Sequence, residues 1–174
     1  MSSGNKVKKA KQGARTRPVI GWRERVDLPQ LKVFGLKAKV DTGAKTSSLH
    51  VSNIRSSGVS DEPQSLQLEI TYTADDGAER RVRCRAHSIG RRRVKSSTGH
   101  VEDRHVIETL LRIGDTEYPI DITLSDRSDM SFPMLLGRAA LRKRFLVDCG
   151  RSFQQSKSRR VPSATRKKSD GVKK

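Results

Sequence analysis

Residues 36–49 read Leu-Lys-Ala-Lys-Val-Asp-Thr-Gly-Ala-Lys-Thr-Ser-Ser-Leu. Leu36, Ala38 and Val40 alternate with Lys37 and Lys39, and Val33 extends the apolar set upstream. Period two predicts a half-buried strand. The strand ends at Asp41-Thr42-Gly43, so it delivers a carboxylate, a hydroxyl and a glycine to a tight turn. Glycine there lets a backbone, the protein's own or a substrate's, come close. Taken alone, the triplet also suits an ordinary Asx turn. The flanking sequence decides between the two.

Outward from this stretch the chain alternates between short apolar-patterned runs and turn signals. Residues 19–28 predict a first strand that stops at Pro29, and Gly35 marks a bend in the next run. Residues 46–51 continue as a strand out of the turn. Residues 55–65 are polar, with Gly58 and Pro63, and read as a loop. In residues 65–72, Leu66, Leu68, Ile70 and Tyr72 fall on one face. Asp75-Asp76-Gly77 then predicts a hairpin into residues 79–86. Residues 101–113 are mostly extended, Gly114-Asp115 is a second hairpin turn, and residues 117–124 alternate again. After Pro133, Ala, Leu and Arg at helical spacing predict one short helix within residues 134–141. Residues 145–148 close as a last strand. Many short strands and one late helix predict an all-β domain, a closed barrel or a sandwich.

Of 174 residues, the middle can hold one modest core. The net charge of +18 is concentrated at the ends. Residues 1–18 carry +6, residues 151–174 carry +8, and residues 19–150 only +4. The two ends are poor in large apolar side chains, so the expectation is a folded domain over 19–150 between two disordered basic tails. Such tails suit nonspecific contact with RNA or docking on an acidic partner. Cys84 and Cys149 are lone thiols, which fits a reducing compartment. The first residues lack the apolar run of a signal peptide, and no stretch approaches a membrane helix. A cytoplasmic protein is expected.

Asp41-Thr42-Gly43 at a strand end, with Leu135-Leu136-Gly137-Arg138 near the far end, resembles retropepsin-like aspartic peptidases. The closer resemblance is to their RimB-like subgroup, long labelled "ATP-dependent zinc protease". It runs through Ile20-Gly21-Trp22-Arg23-Glu24, residues 38–44, residues 95–104, residues 126–130 and 134–138, and ends in Val147-Asp148. Several separated motifs in the right order make this a specific signal.

The resemblance implies a retropepsin-like closed β-barrel with Asp41 as the catalytic carboxylate. This route needs one carboxylate to deprotonate a water and a second, protonated, to polarise the carbonyl. Two close carboxylates share a proton and their titrations split. The chain has one Asp-Thr-Gly; Asp148-Cys149-Gly150 is a loose echo without the hydroxyl. A C2 homodimer would bring two Asp41 side chains together. Thr42 would then brace the two loops, and Gly43 would allow close packing at the dyad. Residues 91–104, with Ser97 and Gly99 toward the tip, are the candidate cover over an extended peptide.

Eight basic residues between Arg80 and Lys95 adjoin that cover, and Lys45 follows the turn. Lys45, Arg93, Lys95, Ser97, Gly99, Arg104 and Arg127 are therefore expected to bind substrate. Guanidinium groups grip carboxylates bidentately, which suits an acidic peptide. The resemblance adds a RimK-type ATP-grasp ligase, which adds glutamates to a ribosomal protein, as a partner. A poly-α-glutamate tail thus becomes a candidate substrate. No cofactor is expected. His50, His87, His100 and His105 are scattered with no His-Glu-x-x-His, and no phosphate-binding Gly-Lys-Ser/Thr loop is present. The alternative is a non-catalytic protein that binds RNA or the ribosome, or modulates the ligase. With aromatics at 4%, no stacking platform favours base recognition.

Overall fold

The computed structural model describes residues 16–57, 64–95, 99, 101–125 and 131–156. Its elements in order are β1 (Val19–Gly21), β2 (Arg23–Leu28), a 3-10 turn (Pro29–Leu31), β3 (Val33–Asp41), β4 (Ser47–His50), β5 (Ser52–Ser57) and β6 (Ser65–Thr73). They continue with β7 (Glu79–Lys95), β8 (Val101–Ile113), β9 (Thr116–Ser125), β10 (Met134–Gly137), α1 (Arg138–Leu141) and β11 (Leu146–Asp148).

Six strands close into a mixed barrel in the order β2-β3-β10-β4-β9-β8. The ring shuts where Asp27 of β2 pairs with Arg112 of β8. β10 lies between β3, to which it is parallel, and β4, to which it is antiparallel. β7, β6 and β5 extend the sheet outward from β8. The inward side chains form one core: Val33, Leu36, Ala38 and Val40 of β3 meet Leu66, Leu68 and Ile70 of β6 and Ile120, Ile122 and Leu124 of β9. Among the described residues no helix is long and apolar enough to cross a membrane.

The expected closed barrel with one short late helix is present. Both hairpin turns form, with Gly77 at φ 82° and Gly114 at φ 57°, conformations that glycine adopts without strain. One element differs. Residues 134–137, expected to be helical, are strand β10, and only Arg138–Leu141 turn into helix. All four residues of β10 are buried between two flanking strands, and the ladder bonds made there outweigh the helical preference of leucine.

Packing carries the domain past the expected boundary at residue 150. Trp22 N donates to the Arg151 carbonyl at 2.9 Å, and Phe153 N donates to the Arg23 carbonyl at 2.9 Å. Gly21 faces the Arg151–Ser152 backbone so closely that a Cβ would overlap it. The clasp is Glu24, fully buried, whose carboxylate accepts from Gly21 N at 2.8 Å and Gln154 N at 2.7 Å. Gln155 N and the Ser156 hydroxyl add longer bonds, both 3.4 Å. Removing the acceptor strands the buried Gly21 N–H, worth about 1–3 kcal/mol, and leaves three part-buried donors to find water. Glu24→Ala is therefore expected to cost roughly 2–4 kcal/mol in urea denaturation and to speed tryptic cleavage after Arg151.

Candidate active site

β3 ends at Asp41, and the chain leaves it in a tight turn that the aspartate itself organises. Asp41 Oδ1 accepts from Gly43 N and from Ala44 N, both at 3.0 Å. Oδ2 has no partner among the described residues. A carboxylate fixed through one oxygen presents the other in a defined direction.

The second layer comes from the far end of the chain. Gly137 of β10 is in register with Asp41 of β3. Its N–H donates to Ser47 Oγ at 3.2 Å. A Cβ at Gly137 would lie 2.5 Å from the Thr46 carbonyl carbon and 2.8 Å from the Lys45 oxygen, so only glycine allows the loop to pass. Helix α1 starts here, and its first N–H groups have no partner inside the helix. They are satisfied by the loop: Arg138 N donates to the Ala44 carbonyl at 2.9 Å and Ala139 N to the Lys45 carbonyl at 3.0 Å. The Arg138 guanidinium then donates to the Gly43 carbonyl at 2.8 Å and the Thr42 carbonyl at 3.3 Å. Every residue of the turn from Thr42 to Lys45 is thus tied to Gly137-Arg138-Ala139.

Thr42, Gly43 and Lys45 are exposed around Asp41. The β7–β8 hairpin reaches this loop through Arg92, whose Nη1 donates to Thr46 Oγ1 at 3.0 Å. Pairing of Arg92 with Arg104 and of Arg93 with Asp103 assigns the faces of the hairpin. Period two puts Arg92 and Arg104 on the face that meets the loop, and Arg93 and Lys95 on the opposite one. Arg92, rather than Arg93, is the hairpin arginine in contact with the loop. Arg104 is committed to Glu102 at 2.7 Å, and its side chain is only 11% exposed. Arg93 is exposed, with Asp103 3.9 Å away. Gly99 sits beyond the paired strands at φ 86°. Ser97 and Arg127 lie outside the described residues.

Among the described residues no group of three His, Cys, Asp or Glu side chains could hold a metal ion. His105 is engaged by Ser88 Oγ at 3.2 Å and by the Arg91 guanidinium at 3.2 Å. Burial and then the Arg91 charge push its pKa below the usual histidine value. His50 and His87 lie on β4 and β7, and His100 lies outside the described residues. Asp148 repeats the turn of Asp41, with Gly150 N donating to its Oδ1 at 2.9 Å. Its other oxygen is tied to Arg151 at 3.4 Å.

A family model described as "Retropepsin-like aspartic endopeptidase RimB" matches residues 19–158. The chain belongs to the RimB-like family. The matched span includes the clasped residues 151–156. The RimB-like chain is 38% identical over 135 residues to a protein of Shewanella halifaxensis named "Probable alpha-L-glutamate ligase". It is 39% identical over 136 residues to a protein of Desulfotalea psychrophila with the same name. These alignments cover 78% and 75% of this chain but only 29% and 28% of those proteins. Among solved structures it is similar to a Legionella pneumophila protein of unknown function (DUF785). That match has TM-score 0.62 and 26% identity, over 79% of this chain and 98% of the other.

Arg138 and Arg92 are the site residues that single-residue reasoning did not assign. Arg138 lay in a matched motif, but its hold on the Asp41 turn is a contact across 96 positions.

Proposed function

We propose that this RimB-like chain hydrolyses glutamate-rich peptides through two Asp41 carboxylates brought together in a C2 homodimer. The observation that carries the reading is the Asp41 carboxylate itself. It ends a barrel strand, it is fixed by two backbone N–H groups through one oxygen, and its other oxygen has no partner among the described residues. One such carboxylate can act as a base. A second, protonated copy is needed to polarise the scissile carbonyl, and an isologous interface supplies the same residue from a second chain. In the reacting pair, the ionised Asp41 takes a proton from water while the protonated one donates toward the carbonyl oxygen. The pair shares one proton between its two carboxylates.

The substrate class follows from charge. Lys45 follows the turn, and Arg92 and Arg104 lie on the hairpin face that meets it. Ser97, Gly99 and Arg127 complete the proposed binding set, the hairpin acting as cover, whereas Arg93 and Lys95, on its opposite face, fall outside it. Guanidinium groups select carboxylates over neutral side chains. The relatives named as alpha-L-glutamate ligases support a link to chains of α-linked glutamate. Poly-α-glutamate added to a ribosomal protein by a RimK-type ligase is the substrate we assign, which places the enzyme in the cytoplasm with that ligase as its partner.

The test is cleavage of oligo-α-glutamate and of a neutral peptide of equal length, with and without EDTA. Expected is cleavage of the glutamate chain that survives EDTA, with specific activity rising with protein concentration as dimers form. Cleavage of the neutral peptide alone would overturn the substrate. EDTA-sensitive cleavage would move the chemistry to a metal. Cleavage of neither would leave a protein that binds or modulates the ligase.

A further inference from the structure

The outer face of β5, β6 and β7 carries a groove of about 760 Å³ that does not touch Asp41. It is lined by four cations, Lys32, Arg55, Arg83 and Arg85, and by one carboxylate, Glu69. Arg83 takes that carboxylate at 2.9 Å, and Arg81 lies 3.6 Å from it. The hydrogen bond from Arg83 holds Glu69 below the usual carboxylate pKa, so its charge is present and already used. Lys32, Arg55 and Arg85 have no carboxylate partner among the described residues, and all three are exposed.

Strand register makes this more than a run of basic residues. Arg55 of β5 pairs with Gln67 of β6, which pairs with Arg85 of β7. The three side chains form one row across the sheet, a guanidinium on each side of an amide. With strands spaced about 4.8 Å apart, the two guanidinium stems stand roughly 10 Å from each other. Like charges on one sheet face repel. An anion lying between them converts that repulsion into two attractions, and Gln67 offers a hydrogen bond at the midpoint. Along β7, Arg81, Arg83 and Arg85 recur on the same face about every 6.8 Å, the spacing of alternate side chains in an extended peptide. No aromatic side chain lines the groove, so it offers nothing on which a nucleic-acid base could stack.

Lys32 directly precedes β3 and Asp41 ends it, nine residues later. The groove and Asp41 therefore sit at opposite ends of one barrel strand, roughly 26 Å apart along it. We propose that the groove is an exosite that binds an extended acidic peptide, glutamate-rich in sequence, separately from the site at Asp41. Its ligand class rests on the acidic-substrate reading of the active site; its geometry does not. A peptide engaged at both places needs about eight extended residues to span them. Long glutamate chains are then held better than short ones.

The experiment measures binding of a fluorescent ten-residue oligo-α-glutamate to the full chain in the uncleaving Asp41→Asn background. Arms with Arg55→Gln/Arg85→Gln and with Arg55→Lys/Arg85→Lys are included, each checked for an unchanged thermal midpoint. The glutamine pair is expected to weaken binding about tenfold at low salt and the lysine pair to restore most of it. Oligoglutamine should not bind, and oligouridylate of equal length should not compete. Equal affinity in parent and glutamine pair would overturn the exosite. Stronger binding of oligouridylate, lost in the same variant, would make the groove a nucleic-acid site instead. With Asp41 intact, the glutamine pair should raise the KM for ten-residue chains and leave tetraglutamate cleavage unchanged. Groove-dependent binding without any cleavage would sink the active-site reading alone. Cleavage with groove-independent binding would sink the exosite alone.

Discussion

Asp41→Asn should lower cleavage of oligo-α-glutamate by about a thousandfold or more while leaving the fold in place. The amide oxygen of asparagine can still accept from Gly43 N and Ala44 N, the two bonds that shape the turn at 3.0 Å. What disappears is the ionisable proton. In a dimer the substitution strikes both halves of the dyad at once, so no mixed carboxylate pair remains to share a proton. Initial rates and a thermal melt on the same preparation check both halves of the expectation. A folded Asp41→Asn protein that still cleaves at the parental rate would remove Asp41 from the chemistry.

Gly137→Ala should cost roughly 2–3 kcal/mol and strike the Asp41 turn directly. The added Cβ would meet the Thr46 carbonyl carbon at 2.5 Å, the Thr46 oxygen at 2.6 Å and the Lys45 oxygen at 2.8 Å. These are backbone atoms, which cannot turn aside as a side-chain tip can. Gly137 has φ −75°, so the cost is purely one of space and not of backbone conformation. Relief requires the segment after Asp41 to move outward, which breaks the bonds from Arg138 N and Ala139 N to the Ala44 and Lys45 carbonyls. Cleavage should then fall further than stability alone explains. Chemical denaturation and rates measured well below the melting temperature separate the two effects.

Much of this architecture was legible because half-buried strands print period two. Leu66, Leu68, Ile70 and Tyr72 are all buried, as alternation predicts, and the glycine turns at 77 and 114 bracket the hairpins. β10 was not legible. Buried on both sides, it shows no alternation, and Leu-Leu-Gly-Arg-Ala-Ala-Leu is made of helix formers. The Asp41 turn was readable from local chemistry alone. Its supports were not, because they join distant parts of the chain: Arg138 to Gly43 across 95 positions, Arg92 to Thr46 across 46. Three consecutive arginines carry no phase, so nothing in residues 91–93 says which one faces the loop. A shift of one residue exchanges the faces of a strand.

The Glu24 clasp also makes the domain nearly circular. Gln155 Nε2 donates to the Val19 carbonyl at 2.7 Å, so the chain leaves the barrel beside the point where it enters. That point adjoins Trp22, whose carbonyl accepts from Val40 N, one residue before Asp41. Anything tethered ahead of residue 16 or after residue 156 is therefore joined at one flank of the barrel, where Arg25 N donates to Ser156 Oγ at 3.3 Å beside the middle of β3. A module joined to either end would have its local concentration raised on the same flank, so the order in which two domains are strung together would matter little to the face it meets.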